Sequence, residues 1–493
     1  MNDNKTRALG PLGAIVAAAV LAGCASYSGI EPQARLRGAQ DVGLTAPASS
    51  APTAPVVAPQ WWTQFGDPQL DKLVAQALEG SPNLRIAQAR LARAQSVQEL
   101  AHSATLPQVQ GSLEAQRQRF SATNIYPPPL GGSTQELGTL RLSGSWELDF
   151  FGKNRQALEA SLGASRAAQA DVEAARVVLA SNVARTWFQM ARLQDQLEVA
   201  RRTLAQRQES LKLVGDRVSA GLDTTLEQRQ SEGALPEARQ QIEALQEQLQ
   251  LTRNALAALV GQTDLKVEPH SLSAARPLAV PTAIPADLLG RRADIVAARW
   301  RVEAATHDIA SAKAQFYPNV NLAAFIGMSS IGLNRLLESG SQEWGAGPAL
   351  HLPIFDAGRL RANLRGKTAD LDLAVESYNG ALLEAVREVA DQLASAQSIG
   401  RQQVDQREAQ DAAESAYDIA LQRYKAGLGT YLNVLTAETA VLNQRRLAVD
   451  LAARALDTQV HLARALGGGF QADPDTLRLA TTDRLSLATT NTR

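Results

Sequence analysis

One cysteine, five histidines and a formal charge of -1 across 493 residues rule out several kinds of protein at once. With Cys24 as its only cysteine, the chain has no internal disulfide. Near-neutral charge with interleaved Arg and Glu offers no basic field to gather nucleic acid. His102, His270, His307, His351 and His461 are scattered, and Glu303 with His307 lacks the second histidine of a zinc-binding helix. No metal or other cofactor is therefore expected. The sequence has no phosphate-binding glycine loop and no nucleophile elbow, so an enzyme is not expected either. Aromatic residues make up only 4%, too few for a thick globular core, whereas long stretches of Ala, Leu, Gln, Arg and Glu suit extended helices.

No apolar run is long enough to cross a bilayer as a helix. The longest candidate, Leu12 to Leu21, follows Lys5 and Arg7 and ends in Leu21-Ala22-Gly23-Cys24. That tetrapeptide resembles the bacterial lipobox, so residues 1–23 read as a signal peptide and Cys24 as the acylated, palmitate-bearing N-terminus of the mature chain. Residues 24–60, rich in Ala, Pro and Ser, read as a flexible tether from that lipid. The polar tail 468–493 carries little periodicity.

What the sequence does contain is a duplication. Arg217-Val-Ser-Ala-Gly-Leu-Asp-Thr-Thr-Leu226 is echoed by Arg423-Tyr-Lys-Ala-Gly-Leu-Gly-Thr-Tyr-Leu432, with Gly221 and Gly427 separated by 206 residues. The same offset links Gly152 to Gly358 and Gly261 to Gly467. In each copy a Gly closes one helix and a Thr is expected to cap the next. The repeats are placed at 61–261 and 262–467, a unit far longer than a solenoid repeat.

Each repeat predicts a β-hairpin and a helical hairpin. Val109, Gly111, Leu113 and Ala115 alternate with polar residues, and Leu140, Leu142, Gly144, Trp146, Leu148 and Phe150 do the same after a Pro- and Gly-rich loop. The second copy alternates through Val320, Leu322, Ala324, Ile326 and Met328, then Trp344, Ala346, Pro348, Leu350, Leu352 and Ile354. Strands are expected near 107–118, 139–151, 318–329 and 344–355. A soluble hairpin with one buried face would alternate too. Four strands of the length a tilted membrane strand needs, with charged polar faces, favour a barrel wall. Trp146 and Trp344 are candidate membrane anchors. Helical hairpins are expected at 157–260 and 360–466. Val183, Met190, Leu197 and Leu204 mark a coiled-coil seam in a helix of roughly 95 Å at about 1.5 Å per residue. The return helix from Thr225 is expected to be shorter or broken, because Pro236 lies inside it.

Open strand edges are not tolerated in hydrocarbon, so four strands imply assembly; two copies would give eight strands and three copies twelve. The motifs then resemble a family, the TolC-like outer-membrane factors of tripartite efflux pumps, in their NodT-type lipoprotein branch. The resemblance rests on the lipobox, Trp62-Thr-Gln-Phe-Gly-Asp67-Pro-Gln-Leu70, Tyr317-Pro318-Asn319-Val320, Phe355-Asp356-Ala357-Gly358-Arg359 and the paired Ala-Gly-Leu turns. It implies a mixed α/β membrane protein of duplicated units, forming a homotrimer with a twelve-stranded β-barrel continued by a periplasmic α-helical barrel. It further implies an outer-membrane location, with Ala25 directing the lipoprotein there. Its expected partners are a periplasmic membrane-fusion adaptor and an inner-membrane pump of the resistance-nodulation-division type.

By the same resemblance, the turns at Gly221, Leu222 and Asp223 and at Gly427, Leu428 and Gly429 meet the adaptor. Family members place Leu, Asp and Arg on one helix face behind the second turn; here those positions are Leu432, Thr436 and Thr439. The aperture is therefore expected to close on an apolar Leu432 ring backed by neutral hydroxyls. The alternative makes Leu432 and Thr436 ordinary seam residues and gates through Glu438 or Asp223. Two other functions fit parts of the chain: an outer-membrane channel for protein secretion, and a lipid-anchored coiled-coil scaffold without a pore.

Overall fold

The structure, a computed structural model, describes residues 27–43, 57–268, 271–276, 278 and 288–471. In order these form α1 (Pro68–Gly80), α2 (Pro82–Ser103), β1 (Gln108–Arg119), β2 (Thr134–Leu148), α3 (Lys153–Ser219) and α4 (Thr225–Val260). After a helical turn at Leu288–Arg291 come α5 (Ala293–Ala314), β3 (Asn319–Ile331), β4 (Gln342–His351), α6 (Arg359–Lys425) and α7 (Tyr431–Ala465). Two compact units divide the chain. Of the described residues, one unit holds 27–36, Arg90–Ala168 and Ala298–Tyr378; the other holds 37–43, 57–89, 169–268, 271–276, 278, 288–297 and 379–471.

The first unit is built on a four-stranded antiparallel sheet in the order β1-β2-β3-β4. β2 begins earlier than the alternation from Leu140 suggests, and β4 stops at His351, before Pro353. Its register aligns Gly111, Leu142, Ile326 and Trp344 in one row across the sheet. Because side chains alternate faces along a strand, Val109, Leu113, Leu140, Leu322 and Leu350 lie on the same side as this row, while Leu137, Phe325 and Ile331 lie on the other. Beneath the sheet, Gly163 of α3 lies so close to Ala304 of α5 that an added Cβ would stand 3.1 Å from that residue's Cβ. Arg166 lies 4.5 Å over the ring of Trp300.

Part of the segment expected to be a tether is pinned in place. Asp372 of α6 accepts the backbone N–H groups of Gln33 and Ala34, each at 2.9 Å, and Arg361 donates to the carbonyl of Ser28 at 3.3 Å. Tyr27 packs edge-on against Phe316, with ring centres 5.8 Å apart. A single carboxylate taking two backbone donors gives an extended strip the partners it cannot find within itself.

The second unit is organised by the Trp-Thr-Gln-Phe-Gly-Asp opening. Trp61, Trp62 and Phe65 are buried against Trp187, Phe188 and Leu256, and Phe65 meets Phe188 edge-on at 4.9 Å. Asp67 caps α1 by accepting from Gln69 N at 2.9 Å and Leu70 N at 3.3 Å, and it also accepts the indole N–H of Trp187 at 2.6 Å. α3 packs on α4 through Leu193, Leu197, Ile242 and Leu245. It meets α7 through Arg185–Asp457 at 2.7 Å and Arg192–Asp450 at 2.8 Å.

Both helical hairpins end on left-handed glycines, Gly261 at φ 79° and Gly467 at φ 104°. A Cβ on Gly261 would lie 2.7 Å from the carbonyl of Gly80, and one on Gly467 would collide with that of Arg291. α4 is the shorter helix, 36 residues against 67 for α3, and it runs unbroken through Pro236, so the expected return helix is shorter and not broken. Buried Ala234, Ala238 and Ile242 hold it in place across the missing N–H.

Candidate functional site: paired helix turns and an amphipathic sheet

The two turns share one backbone design. In the first, Gly221 N–H donates to Val218 and Leu222 N–H to Arg217; in the second, Gly427 N–H donates to Tyr424 and Leu428 N–H to Arg423. The glycines sit at φ 73° and 76°, the left-handed region where a Cβ is strained. This crossed pair of bonds satisfies the last carbonyls of α3 and α6 and reverses the chain. Thr224 then caps α4, its hydroxyl accepting from Leu226 N while Glu227 takes the N–H of Thr224 at 3.0 Å. Thr430 makes no such side-chain bond, so the expected cap holds only in the first turn.

The turns differ in charge. Asp223 of the first turn corresponds to Gly429 of the second, 206 positions on. Asp223 accepts from Arg217 Nε at 2.8 Å and from the hydroxyl of Tyr424, while the Arg217 guanidinium lies 4.6 Å over the Tyr424 ring. One carboxylate therefore joins both turns. Burial opposes its charge, but the bonds from Arg217 and Tyr424 hold its carboxyl below the usual range. Burial and the neighbouring carboxylate push the Tyr424 hydroxyl up. Lacking an Asp, the second turn leaves Arg423 to donate to the carbonyl of Leu428 at 3.3 Å.

Sequence reasoning missed the row behind these turns. Tyr417, Tyr424, Tyr431 and Glu438 recur every seventh residue through α6 and α7, and all four are buried. Tyr417 faces Gln206 and Ser210 of α3, Tyr431 lies beside Ser231 of α4, and Glu438 faces Arg207 of α3 at 3.6 Å. The first-repeat counterparts are Leu211, Val218, Thr225 and Glu232, so the tyrosines are an asymmetry between the copies. Seven-residue spacing of a scarce residue was the available signal. Glu438 is only 5% exposed, and its Oε1 has no hydrogen-bond partner among the described residues. Burial raises its carboxyl, an effect that Arg207 partly offsets.

The proposed aperture residues lie on an exposed face of α7. Leu432 is 60% exposed, and the Thr436 and Thr439 hydroxyls turn back to the carbonyls of Leu432 and Leu435, both at 2.8 Å. Leu222 and Leu428 project from the turn tips. In the sheet, Leu113 is 72% exposed and Trp344 79%, with Val109, Leu142, Ile326 and Leu350 beside them on the same apolar face. Trp146 is 40% exposed, and its indole donates to the carbonyl of Thr105 at 3.1 Å. Contiguous apolar surface of this extent requires an apolar environment. Cys24 lies outside the described residues.

The profile of the outer membrane efflux protein family matches residues 73–262 and again 284–468. The fusaric acid resistance protein FusA of Burkholderia cepacia is 38% identical over 378 residues, 75% of this chain and 71% of its own. The multidrug resistance outer membrane protein MdtP of Escherichia coli is 33% identical over 430 residues, 84% of this chain and 87% of its own. Among solved structures, the outer membrane protein VceC of Vibrio cholerae aligns with a TM-score of 0.79 and 37% identity, covering 84% of this chain and 100% of its own.

Proposed function

The chain belongs to the outer membrane efflux protein family, and from that membership we propose a homotrimeric exit duct, lipid-anchored through Cys24. Its function is to conduct solutes outward across the outer membrane, as one component of a tripartite efflux system with an adaptor and a pump. The observation that carries this reading is the sheet. Four strands present one continuous apolar face, and β1 and β4 are left as open edges. In hydrocarbon each unpaired backbone group costs several kcal/mol, so the edges must pair with those of other copies; three copies close a barrel of about twelve strands.

Transport here is passive: the chain supplies a wet path and a closable end, and the pump supplies energy. We assign the closable end to the turns, with the Asp223–Tyr424 contact holding them together and Leu432, Thr436 and Thr439 lining the aperture. The adaptor is proposed to meet Gly221, Leu222, Asp223, Gly427, Leu428 and Gly429, and the pump to be of the resistance-nodulation-division type. The names of FusA and MdtP support small organic molecules as cargo. Purified full-length protein in planar bilayers, with its oligomeric mass taken from the same preparation, tests the reading. A trimer with discrete single-channel conductance supports it; a monomer that never inserts overturns it.

A further inference from the structure

The polar face of the sheet holds one group that a simple wet wall does not require. Phe325 is the only Phe, Tyr or Trp on that face, where its strand neighbours are Ala323 and Gly327. The guanidinium of Arg141 lies 4.6 Å over its ring. Arg141 in turn reaches Glu343, donating through Nε at 3.1 Å and Nη2 at 2.5 Å. These two residues stand on β2 and β4, with β3 between them, and both are in register with Gly327. Only a residue without a side chain at 327 leaves the line between them open. Gly345, in register with Phe325, makes room for the ring: a Cβ there would lie 2.7 Å from Phe325 Cε1. Two glycines thus make space for a stack of ring, guanidinium and carboxylate.

We propose that this stack is a contact site for planar aromatic carboxylates in transit, an inference that rests on the exit-duct reading. Phe325 supports one face of the guanidinium and Glu343 holds its Nε and Nη2 edge. That leaves the opposite face and Nη1 for a solute. A planar ring lies on the free face, as guanidinium groups stack on aromatic surfaces, and its carboxylate accepts from Nη1. Glu343 has a second effect: by neutralising the arginine it keeps the contact weak. Weak contact is what a conduit needs, since a solute must leave as readily as it enters. Arg141 remains 39% exposed in its side chain, accessible from the polar side.

The test compares benzoate with cyclohexanecarboxylate, which has the same charge and similar size but no aromatic face. In planar bilayers, benzoate is expected to retard current through the wild-type full chain at about threefold lower concentration than cyclohexanecarboxylate. Arg141→Lys, which keeps the charge and removes the plane, should abolish the difference, and Phe325→Leu should reduce it. Equal effects of the two acids on wild type, or an aromatic preference that survives in Arg141→Lys, overturn the proposal. Saturation transfer from detergent-solubilised protein to benzoate separates the two claims. Transfer that depends on Arg141 without any current removes the duct and leaves the site. Current without aromatic preference removes the site and leaves the duct, and absence of both removes both.

Discussion

Tyr424, near the end of α6, donates its hydroxyl to Asp223 in the turn between α3 and α4, so a bond between the two repeats joins the tips of their hairpins. Tyr424→Phe removes that bond and keeps the ring beneath Arg217. A buried hydrogen bond to a charged group contributes about 1.5–3 kcal/mol. The expected result is more frequent channel opening, about tenfold or more, with the trimer intact. Open probability in planar bilayers measures it; unchanged gating would separate this contact from the aperture.

The same cluster gives a pH dependence of definite sign. The Asp223 carboxyl is held below its ordinary value, so its stabilisation is complete above an unfolded value of about 3.9 and fades only as pH falls through the lower folded value. Glu438 behaves in the opposite way. Its carboxyl is raised, so its contribution is fully present below about 4.3 and is lost as pH rises through the folded value. Glu438→Gln is therefore expected to stabilise the protein at pH 7.5, by at most about 1–3 kcal/mol, and to change little at pH 4. Thermal unfolding at the two pH values checks this; equal effects at both would contradict it.

Thr436 and Thr439 place neutral hydroxyls on the face of α7 that bears Leu432, the proposed aperture. Thr436→Asp adds one carboxylate per copy to the face that bears Leu432. Cation preference is expected to rise, read as a shift of reversal potential in a salt gradient. An unaltered reversal potential would place the aperture elsewhere.

Gly327 is needed for the strand pairing itself. An added Cβ would collide with the carbonyl of Leu140 and come within 3.0 Å of Arg141 Cα. Gly327→Ala is expected to cost about 1–3 kcal/mol and to lower the yield of heat-modifiable oligomer in outer-membrane fractions. Gly347, with nothing within 4 Å of an added Cβ, provides the control: Gly347→Ala should assemble normally.

Asp67→Ala removes a helix cap and leaves the buried indole N–H of Trp187 without its carboxylate. Together these losses are worth about 2–4 kcal/mol. Asp67→Asn, which keeps an acceptor, should lose less. Chemical denaturation of the two variants distinguishes them, and identical losses would refute the assigned pairings.

Much of this architecture was legible because it follows from periodicity. Alternation through Leu140–Leu148 and Val320–Met328 marks strands, and Gly221 and Gly427 mark turns, since in each case the signal is local. Pairings were not legible. Arg141 and Glu343 lie 202 residues apart and meet only because the register puts Gly327 between them. Tyr424 and Asp223, 201 apart, likewise depend on how the hairpins pack. Pro236 misled for a related reason: local helix-breaking was outweighed by packing against α3.

The strip from Tyr27 to Arg37, fixed along α6, would set how far the body of the protein could stray from a lipid on Cys24, the anchor proposed above. Three peptide steps separate Cys24 from Tyr27, a reach of about 10 Å. With Tyr27 seated on Phe316, three residues before β3 begins, the proposed acyl chain on Cys24 would be held within that reach of the foot of the sheet. Such a mooring would be short, and it would order events in the membrane. A lipid there would arrive beside the place where strands must enter, so insertion would start from a fixed berth rather than from a search.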